Sequence, residues 1–218
     1  MQRVQAFLTR ETPVKWLFYG DSITHGAYHT HGGRDYTETF AERVRFELGR
    51  SQDIILNTAI SGHSTDQLLA GYDWRVKQFS PDVVFIMIGM NDCNEGKYGQ
   101  KPAQFRANLE TLCDRLVADG ALPVLQTTCP ILPGLAPSRE PYFPVIMQQI
   151  RDVAADRSLP LIDHTAHWLE QDGNTFQYWM NNAFHPNTHG HLAFSRLIFQ
   201  ELGIWDPTAS TVCRLFIP

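Results

Sequence analysis

Short apolar runs alternate with longer amphipathic segments along most of this chain, and this alternation constrains its fold more than any other feature. Five runs are rich in Leu and β-branched residues on both faces, which is typical of strands buried in a parallel sheet. They span residues 14–20, 53–60, 82–89, 122–128 and 159–163. The helical segments that follow them span residues 36–49, 64–79, 102–120, 143–158 and 187–203. These βα repeats predict one doubly wound α/β domain over residues 1–218, with helices on both faces of a parallel sheet.

Two segments do not fit the repeat. Residues 129–144 contain five prolines and are predicted to form a long loop after the fourth strand. Residues 204–218 form a C-terminal extension, whose last part, TVCRLFIP (211–218), is compatible with an extra edge strand or with a dimer contact.

Composition excludes several classes of function. The 218-residue chain has a formal net charge of −5 and no basic run, which argues against a nucleic-acid partner. Its four cysteines are widely spaced without a CxxC pair, so neither a disulfide framework nor a zinc cage is expected. No apolar run approaches the roughly 18 residues of a membrane span. The N-terminal sequence also lacks the apolar region of a signal peptide, so a cytoplasmic location is expected unless a presequence has been removed.

Polar and glycine residues follow the first three predicted strands, at the edge of the sheet where ligands bind in such folds. Ser22 lies in GDSITHG (20–26), at a strand-to-helix turn. Gly62 lies in SGHS and Asn91 in GMND. A hydroxyl nucleophile would thus share one edge with three neutral donors, namely the N–H groups of Ser22 and Gly62 and the Asn91 amide. Acyl transfer needs such donors, because they meet the charge that develops on the carbonyl oxygen.

The segment NNAFHPNTHGH (181–191) supplies candidates for the missing base. His185 precedes Pro186 and should therefore lie outside the last helix. His189 and His191 are two residues apart and would point to different helix faces, so no metal site is predicted here. We expect His189 to be a solvated residue of the first helical turn.

Four sequence blocks in order, GDSIT, SGHS, GMND and HPN followed by GH, make this chain resemble the SGNH hydrolases of the GDSL esterase/lipase family. The resemblance runs from about residue 14 to residue 203. It implies a flavodoxin-like three-layer α/β/α sandwich and ester hydrolysis without metal or cofactor. By the same match, Ser22 is the nucleophile and His185 the general base, and the oxyanion hole is formed by Ser22, Gly62 and Asn91.

The resemblance also implies structural roles for three neighbours of these residues. His191 occupies the GH position, where a hydrogen bond near the helix start is expected. Asp21 and Asp92 flank catalytic positions, and we expect their carboxylates to hold backbone N–H groups.

The chain departs from the family pattern three residues before His185, where Asn182 replaces the usual aspartate. Three alternatives follow. Asn182 orients His185 through its carbonyl oxygen, leaving a dyad-like enzyme; or Asp163 supplies the carboxylate, although it is also suited to cap the following helix; or activity is greatly weakened, leaving a ligand-binding protein.

The loops after the strands are polar and contain few large apolar residues. Tyr178 and Trp179 precede His185 closely and would suit the face of a sugar, or else pack against the body of the protein. The one apolar loop, ILPGL (131–135), could form an acyl wall. These features favour a small-molecule partner, a short acyl ester such as an acetyl ester, carried on a carbohydrate. A lipase or thioesterase acting on longer acyl chains is the alternative.

Overall fold

The computed structural model describes residues 1–99, 101–171, 175–209 and 211–214, and its centre is a parallel sheet with strand order β2-β1-β3-β4-β5. The strands are β1 (Lys15–Gly20), β2 (Ile54–Asn57), β3 (Val83–Met87), β4 (Leu122–Gln126) and β5 (Leu161–Ile162). This is the flavodoxin-like doubly wound order, with its topological switch beside β1. The predicted fold class is confirmed.

Helices cover both faces of the sheet. They are α1 (Gln2–Leu8), α2 (Ser22–His25), α3 (Tyr36–Glu42), α4 (Thr65–Arg75), α5 (Pro102–Ala118), α6 (Phe143–Asp156), α7 (His164–Leu169) and α8 (Thr188–Glu201). A π-helical turn, Arg43–Glu47, continues α3. The five long predicted helices are all present. Of the three short ones, α2 and α7 were expected only as helices that start at the Ser22 turn and after Asp163, and α1 was not predicted, because so few residues do not show a helical period.

Aromatic side chains fill one face of the central strands. Phe18 on β1 is the register partner of Phe85 on β3, and their rings stack with centroids 4.8 Å apart. Phe40 on α3 meets Phe18 edge-on at 5.2 Å. Neighbouring aromatic pairs in these geometries add stabilisation beyond the area they bury. The contact therefore fixes α3 against the middle of the sheet.

The second strand differs from its prediction. Residues 53–60 read as a strand buried on both faces, whereas β2 is short and Ile54 is 46% exposed. The reason is its position, because β2 is the edge strand and pairs with β1 alone. An apolar run cannot by itself distinguish an edge strand from a central one.

The C-terminal extension was predicted to suit an edge strand or a dimer contact. That prediction concerned residues 211–218, of which the described residues 211–214 contain the 3₁₀ turn Val212–Arg214 and no strand. Thr211 donates through both its N–H and its hydroxyl to Glu47 Oε1, each at 2.6 Å, which ties the segment to the turn after α3. Residues 215–218 lie outside the described residues.

The first turn of α8 has no room for a side chain at Gly190. A Cβ there would lie 2.4 Å from the carbonyl oxygen of Trp179 and 2.6 Å from Pro186 Cβ. We expect Gly190→Ala to lower the free energy of unfolding by about 2 kcal/mol, because overpacking a dense region costs 1–3 kcal/mol. Urea denaturation measures the change.

Gly71 in α4 is the matched control. A Cβ there would meet its nearest atoms at 3.5 Å, an ordinary contact, so Gly71→Ala should stabilise the protein by about 0.5–1 kcal/mol through helix propensity. A Gly190→Ala protein as stable as the wild type would contradict the packing described here.

Candidate active site

Ser22 and His185 meet at the carboxyl edge of the sheet. Ser22 is the first residue of α2, directly after β1, and His185 lies in the turn that precedes α8. Ser22 Oγ is 2.8 Å from His185 Nε2. A hydroxyl and an imidazole at this distance can exchange a proton, which is the first requirement of a Ser–His nucleophile.

Asn182 holds the other edge of the imidazole. Its Oδ1 lies 3.1 Å from His185 Nδ1 and also accepts the backbone N–H groups of Phe184 at 3.1 Å and of His185 at 3.0 Å. Two backbone donors determine which atom of the amide faces inward, because only the oxygen can accept them. His185 Nδ1 therefore carries the hydrogen, and the Nε2 lone pair faces Ser22.

Asp163, the alternative carboxylate, is occupied elsewhere, and that alternative is corrected here. Its Oδ1 accepts the Ala166 N–H at 3.1 Å, as a helix cap does, and the Thr127 hydroxyl at 2.9 Å. Arg151 Nε donates to its Oδ2 at 2.6 Å. Burial opposes ionisation of Asp163, but these hydrogen bonds together lower its pKa. The described residues contain no hydrogen bond between Asp163 and His185.

His185 is held in its neutral form. Burial, with the positive charge that His29 and Arg139 bring near it, lowers the pKa of His185 to about 4. The ring is consequently unprotonated at neutral pH. A general base must be unprotonated to accept a proton, so His185 is available for that role over a wide pH range.

The three expected hydrogen-bond donors lie on the turns that follow β1, β2 and β3. The Ser22 N–H stands at the N-terminus of α2, where helix N–H groups have no partner within the helix. Gly62 adopts the left-handed conformation, with φ +83°, in an exposed turn. Asn91 Nδ2 donates one hydrogen to the His63 carbonyl at 2.9 Å, which orients the amide and leaves its second hydrogen for a ligand.

Asp21 and Asp92 hold backbone N–H groups, as expected. Asp21 accepts the Ile23 N–H at 2.9 Å, and Asp92 accepts the N–H of Thr65 at 3.0 Å and its hydroxyl at 2.7 Å. Burial raises the pKa of Asp21 to about 7 and that of Asp92 to about 6. The two carboxylates attach the starts of α2 and α4 to the strand ends and so position Ser22 and the turn that contains Gly62.

His191 has the structural contact expected of it. Its Nδ1 accepts the Tyr36 N–H at 3.3 Å, which joins the start of α8 to the start of α3. Burial lowers the pKa of His191 to about 3, so the ring stays neutral. His189 is exposed in the first turn of α8. Within the ranges that the structure describes, no group of three or more His, Cys, Asp or Glu residues could hold a metal ion.

The two aromatic residues before His185 lie in different environments. Trp179 is buried and packs edge-on against Trp168 with ring centroids 4.9 Å apart, so it belongs to the core. Tyr178 is 68% exposed and free to contact a ligand. In the apolar loop 131–135, the Leu132 N–H donates to the Ala183 carbonyl at 2.8 Å, which places this loop beside the His185 turn.

Two residues of the site were not predicted from the sequence. The ring of His29 stacks on that of His185, with centroids 3.7 Å apart and an angle of 10° between the planes. Arg139 lies over the Phe184 ring at 4.3 Å and donates through Nε to the Met90 carbonyl at 3.1 Å. Only the polar character of the loop 27–36 pointed toward His29, and nothing in the spacing of the sequence motifs pointed to Arg139.

Known proteins resemble this chain over different lengths. An uncharacterized protein of Mycoplasma pneumoniae is 34% identical over 112 residues, which are 50% of this chain but only 13% of that protein. The lipoprotein YqeF of Bacillus subtilis, itself uncharacterized, is 27% identical, and the match covers 71% of this chain and 72% of that one. An arylesterase of Vibrio mimicus is 24% identical over 86% of this chain and 88% of its own length.

The expected cytoplasmic location is wrong by this comparison, because YqeF is described as a lipoprotein. In the described part of the chain, no helix is both long enough and apolar enough to cross a membrane.

Solved structures share the fold. A GDSL-like lipase structure from Parabacteroides merdae superposes with a TM-score of 0.76 at 21% identity and covers 90% of this chain and 99% of that one. The acetylxylan esterase Axe2 of Geobacillus stearothermophilus superposes with a TM-score of 0.69 at 22% identity, over 87% of this chain and 94% of its own.

A family model covers residues 18–193, a range that includes Ser22, Gly62, Asn91 and His185. It matches well over half of the sequence and confirms the resemblance drawn from the four blocks. The chain belongs to the GDSL-like lipase/acylhydrolase family.

Proposed function

We propose that this protein is a serine esterase that hydrolyses a short-chain ester, with Ser22 as nucleophile and His185 as general base. The observation that supports it most strongly is the chain of hydrogen bonds from Ser22 Oγ through the His185 ring to Asn182 Oδ1. With these two hydrogen bonds, His185 carries its hydrogen on Nδ1 and presents an Nε2 lone pair to Ser22, as a general base requires.

The reaction follows from these contacts. His185 Nε2 takes the hydroxyl proton as Ser22 Oγ bonds to the ester carbonyl carbon, and the carbonyl electron pair moves onto oxygen. The N–H groups of Ser22 and Gly62 and the free hydrogen of Asn91 Nδ2 stabilise this oxyanion. The imidazolium then gives its proton to the departing alkoxide. Water attacks the acyl-enzyme with His185 again acting as base, and the acid is released with Ser22 restored.

Asn182 orients the base but adds no full negative charge. An aspartate in this position stabilises the imidazolium that forms during acylation. The neutral amide does so through its dipole alone, and the low pKa of His185 is consistent with that weaker support. We therefore infer a working enzyme whose base is correctly oriented and weaker than in relatives with aspartate.

An acetyl ester on a carbohydrate is the substrate that we favour. The exposed residues around the site are polar or aromatic, including Tyr178 and His31 of the loop after α2. A long acyl chain would need a continuous apolar groove, whereas the apolar loop 131–135 provides only a short wall. The acetylxylan esterase among the solved structures of this fold is consistent with this choice.

Hydrolysis of p-nitrophenyl acetate tests the proposal, together with labelling by a fluorophosphonate. We expect wild type to hydrolyse the ester and to carry the label on Ser22, because the Ser22 hydroxyl lies 2.8 Å from the Nε2 lone pair of His185, whose tautomer Asn182 fixes. Ser22→Ala should lose both. Mass spectrometry of the labelled peptide and the initial rate of nitrophenol release measure the two effects.

Ser51→Ala is the matched control, since Ser51 is exposed and precedes β2, at the opposite edge of the sheet. It should keep the activity and the label of wild type. A folded wild type that neither turns over the ester nor takes the label would favour a ligand-binding protein of this fold instead.

Asn91→Ala tests the oxyanion hole. We expect kcat to fall by about 10²–10³ with little change in KM, because loss of one such donor weakens binding of the transition state more than of the ground state. Steady-state kinetics on the same acetyl ester give both constants. A higher KM with an unchanged kcat would place Asn91 in ground-state binding.

Asn182→Asp tests how the base is oriented. The carboxylate should keep the three hydrogen bonds that Asn182 Oδ1 accepts and raise the pKa of His185. Neutral His185 is the active form, so the acidic limb of the kcat/KM profile should move to higher pH, and the rate on its plateau should rise because the imidazolium is better stabilised.

Asp163→Asn is the comparison variant. It should leave the pH–rate profile unchanged and lower only the stability, since Asp163 binds Arg151 and caps α7. If Asp163→Asn were slower than wild type and Asn182→Asp gave no increase in rate, Asp163 rather than Asn182 would be the residue that orients His185.

A further inference from the structure

His29 lies directly on the face of the base. Its ring is parallel to that of His185 within 10°, and the centroid distance of 3.7 Å is van der Waals contact across the whole ring. The two edges of the His185 ring are held by Ser22 and Asn182. Hydrogen bonds at the edges leave the tilt of the ring free, and a flat side chain on one face removes that freedom.

Asn181 connects His29 to the backbone of the catalytic turn. Its Oδ1 lies 3.3 Å from His29 Nδ1, and its Nδ2 lies 2.5 Å from His31 Nε2. Its own N–H donates to the His185 carbonyl at 2.8 Å. A single residue thus fixes the position of the His29 ring relative to His185.

The histidine loop, residues 27–34, has a backbone conformation and a hydrogen bond that fix the position of His29. Tyr28 and His31 have positive φ values of 68° and 51°, a backbone conformation that residues other than glycine rarely adopt. The Thr30 carbonyl accepts the Thr188 hydroxyl at 2.8 Å, which ties the loop to the start of α8. Such a conformation persists only where surrounding contacts enforce it, and it is found most often at functional sites.

From this geometry we propose that His29 is a positioning residue of the esterase, which clamps the plane of the His185 ring and opposes its protonation. The inference rests on the proposed function. Positive charge at His29 lowers the pKa of His185, in addition to the larger effect of burial, and so keeps the base unprotonated. The clamp adds orientation where Asn182 supplies no charge.

The other titratable and charged groups near the pair have defined positions. Arg139, which lies over the neighbouring Phe184 ring, and buried His191 both interact electrostatically with His185. His29 is met edge-on by Tyr28 at 5.2 Å, and it reaches His31 through Asn181. Burial lowers the pKa of His191 to about 3, so its ring is neutral at neutral pH.

The test compares His29→Ala, which removes the ring, with His29→Phe, which keeps a flat ring without a titrating group. For His29→Ala we expect kcat to fall about 10- to 100-fold with KM nearly unchanged, because the base leaves its reactive position. His29→Phe should recover most of kcat. In both variants the acidic limb should move to higher pH, since His185 loses a neighbour that can carry positive charge.

His189→Ala is the control for loss of an exposed histidine, and it should behave as wild type. Urea denaturation confirms that each variant is folded. A His29→Ala enzyme with unchanged kcat and acidic limb would overturn the proposal, and so would His29→Phe as slow as His29→Ala. A change in KM alone would place His29 in contact with substrate instead, which also overturns it.

NMR titration of the His185 ring separates this proposal from the esterase assignment. The ring pKa should be higher in His29→Phe than in wild type, whether or not the protein turns over an ester. An unchanged ring pKa would overturn the coupling between the two rings. An inactive wild type that still shows the shift would instead refute the esterase and leave the coupling standing.

Discussion

The whole site depends on the parallel alignment of β1 with β3. Gly20, the last residue of β1, pairs with Met87, the last residue of β3, so the two chains leave the sheet at the same level. The approach is so close that a Cβ on Gly20 would lie 2.3 Å from the Met87 carbonyl oxygen. At this topological switch, Ser22 follows β1 and Asn91 follows β3 at the same edge of the sheet, where ligands bind in such folds. Asp21 and Asp92, each one residue from these groups, then attach the adjoining helices by burying their carboxylates.

The backbone contacts of Asn182 explain how a neutral side chain can fix the tautomer of His185. In serine proteases, replacing the aspartate of the triad by asparagine leaves the geometry intact but produces the wrong histidine tautomer, at a cost of about 10⁴ in kcat. Here the N–H groups of Phe184 and His185 both point at the side-chain oxygen of Asn182, so the amide cannot present its NH₂ to the imidazole without losing two hydrogen bonds. The tautomer is thus secured by the local chain, and what the substitution removes is charge.

Site residues that lie on a single turn next to a predicted strand or helix could be identified from the sequence. Ser22, Gly62 and Asn91 follow strand ends, which are recognisable from apolar runs, whereas His185 was identified from the HPN block before the last helix. Contacts between distant segments were not predictable in the same way. The role of Asp163 depended on Arg151, and the stack of His29 on His185 depends on a loop whose path is set by Thr188. Both β2 as an edge strand and the burial of Trp179 follow from the packing of the complete chain, which periodicity does not encode.

The buried ionisable groups around the strand ends also link the site to stability. His164, His185 and His191 have pKa values lowered by burial to between about 3 and 4, so they contribute stability above their unfolded pKa, and that stability is lost as the pH falls. Asp21 and Asp92 have raised pKa values, so their contribution is lost as the pH rises through about 6 to 7.

At intermediate pH the three histidines and the two aspartates have opposite effects on how stability changes with pH. Near pH 5 the unfolded chain binds a proton on each of the three histidines, while the folded chain binds one on each of the two aspartates, and the difference is a single proton. Below pH 4 the unfolded aspartates also bind protons, but the folded histidines take up theirs over the same range, so the difference does not grow. The fold therefore begins to lose stability near the unfolded histidine pKa of about 6.5, before His185 itself takes a proton near pH 4. Burial of the histidines causes both effects, because it opposes their protonation in the folded state.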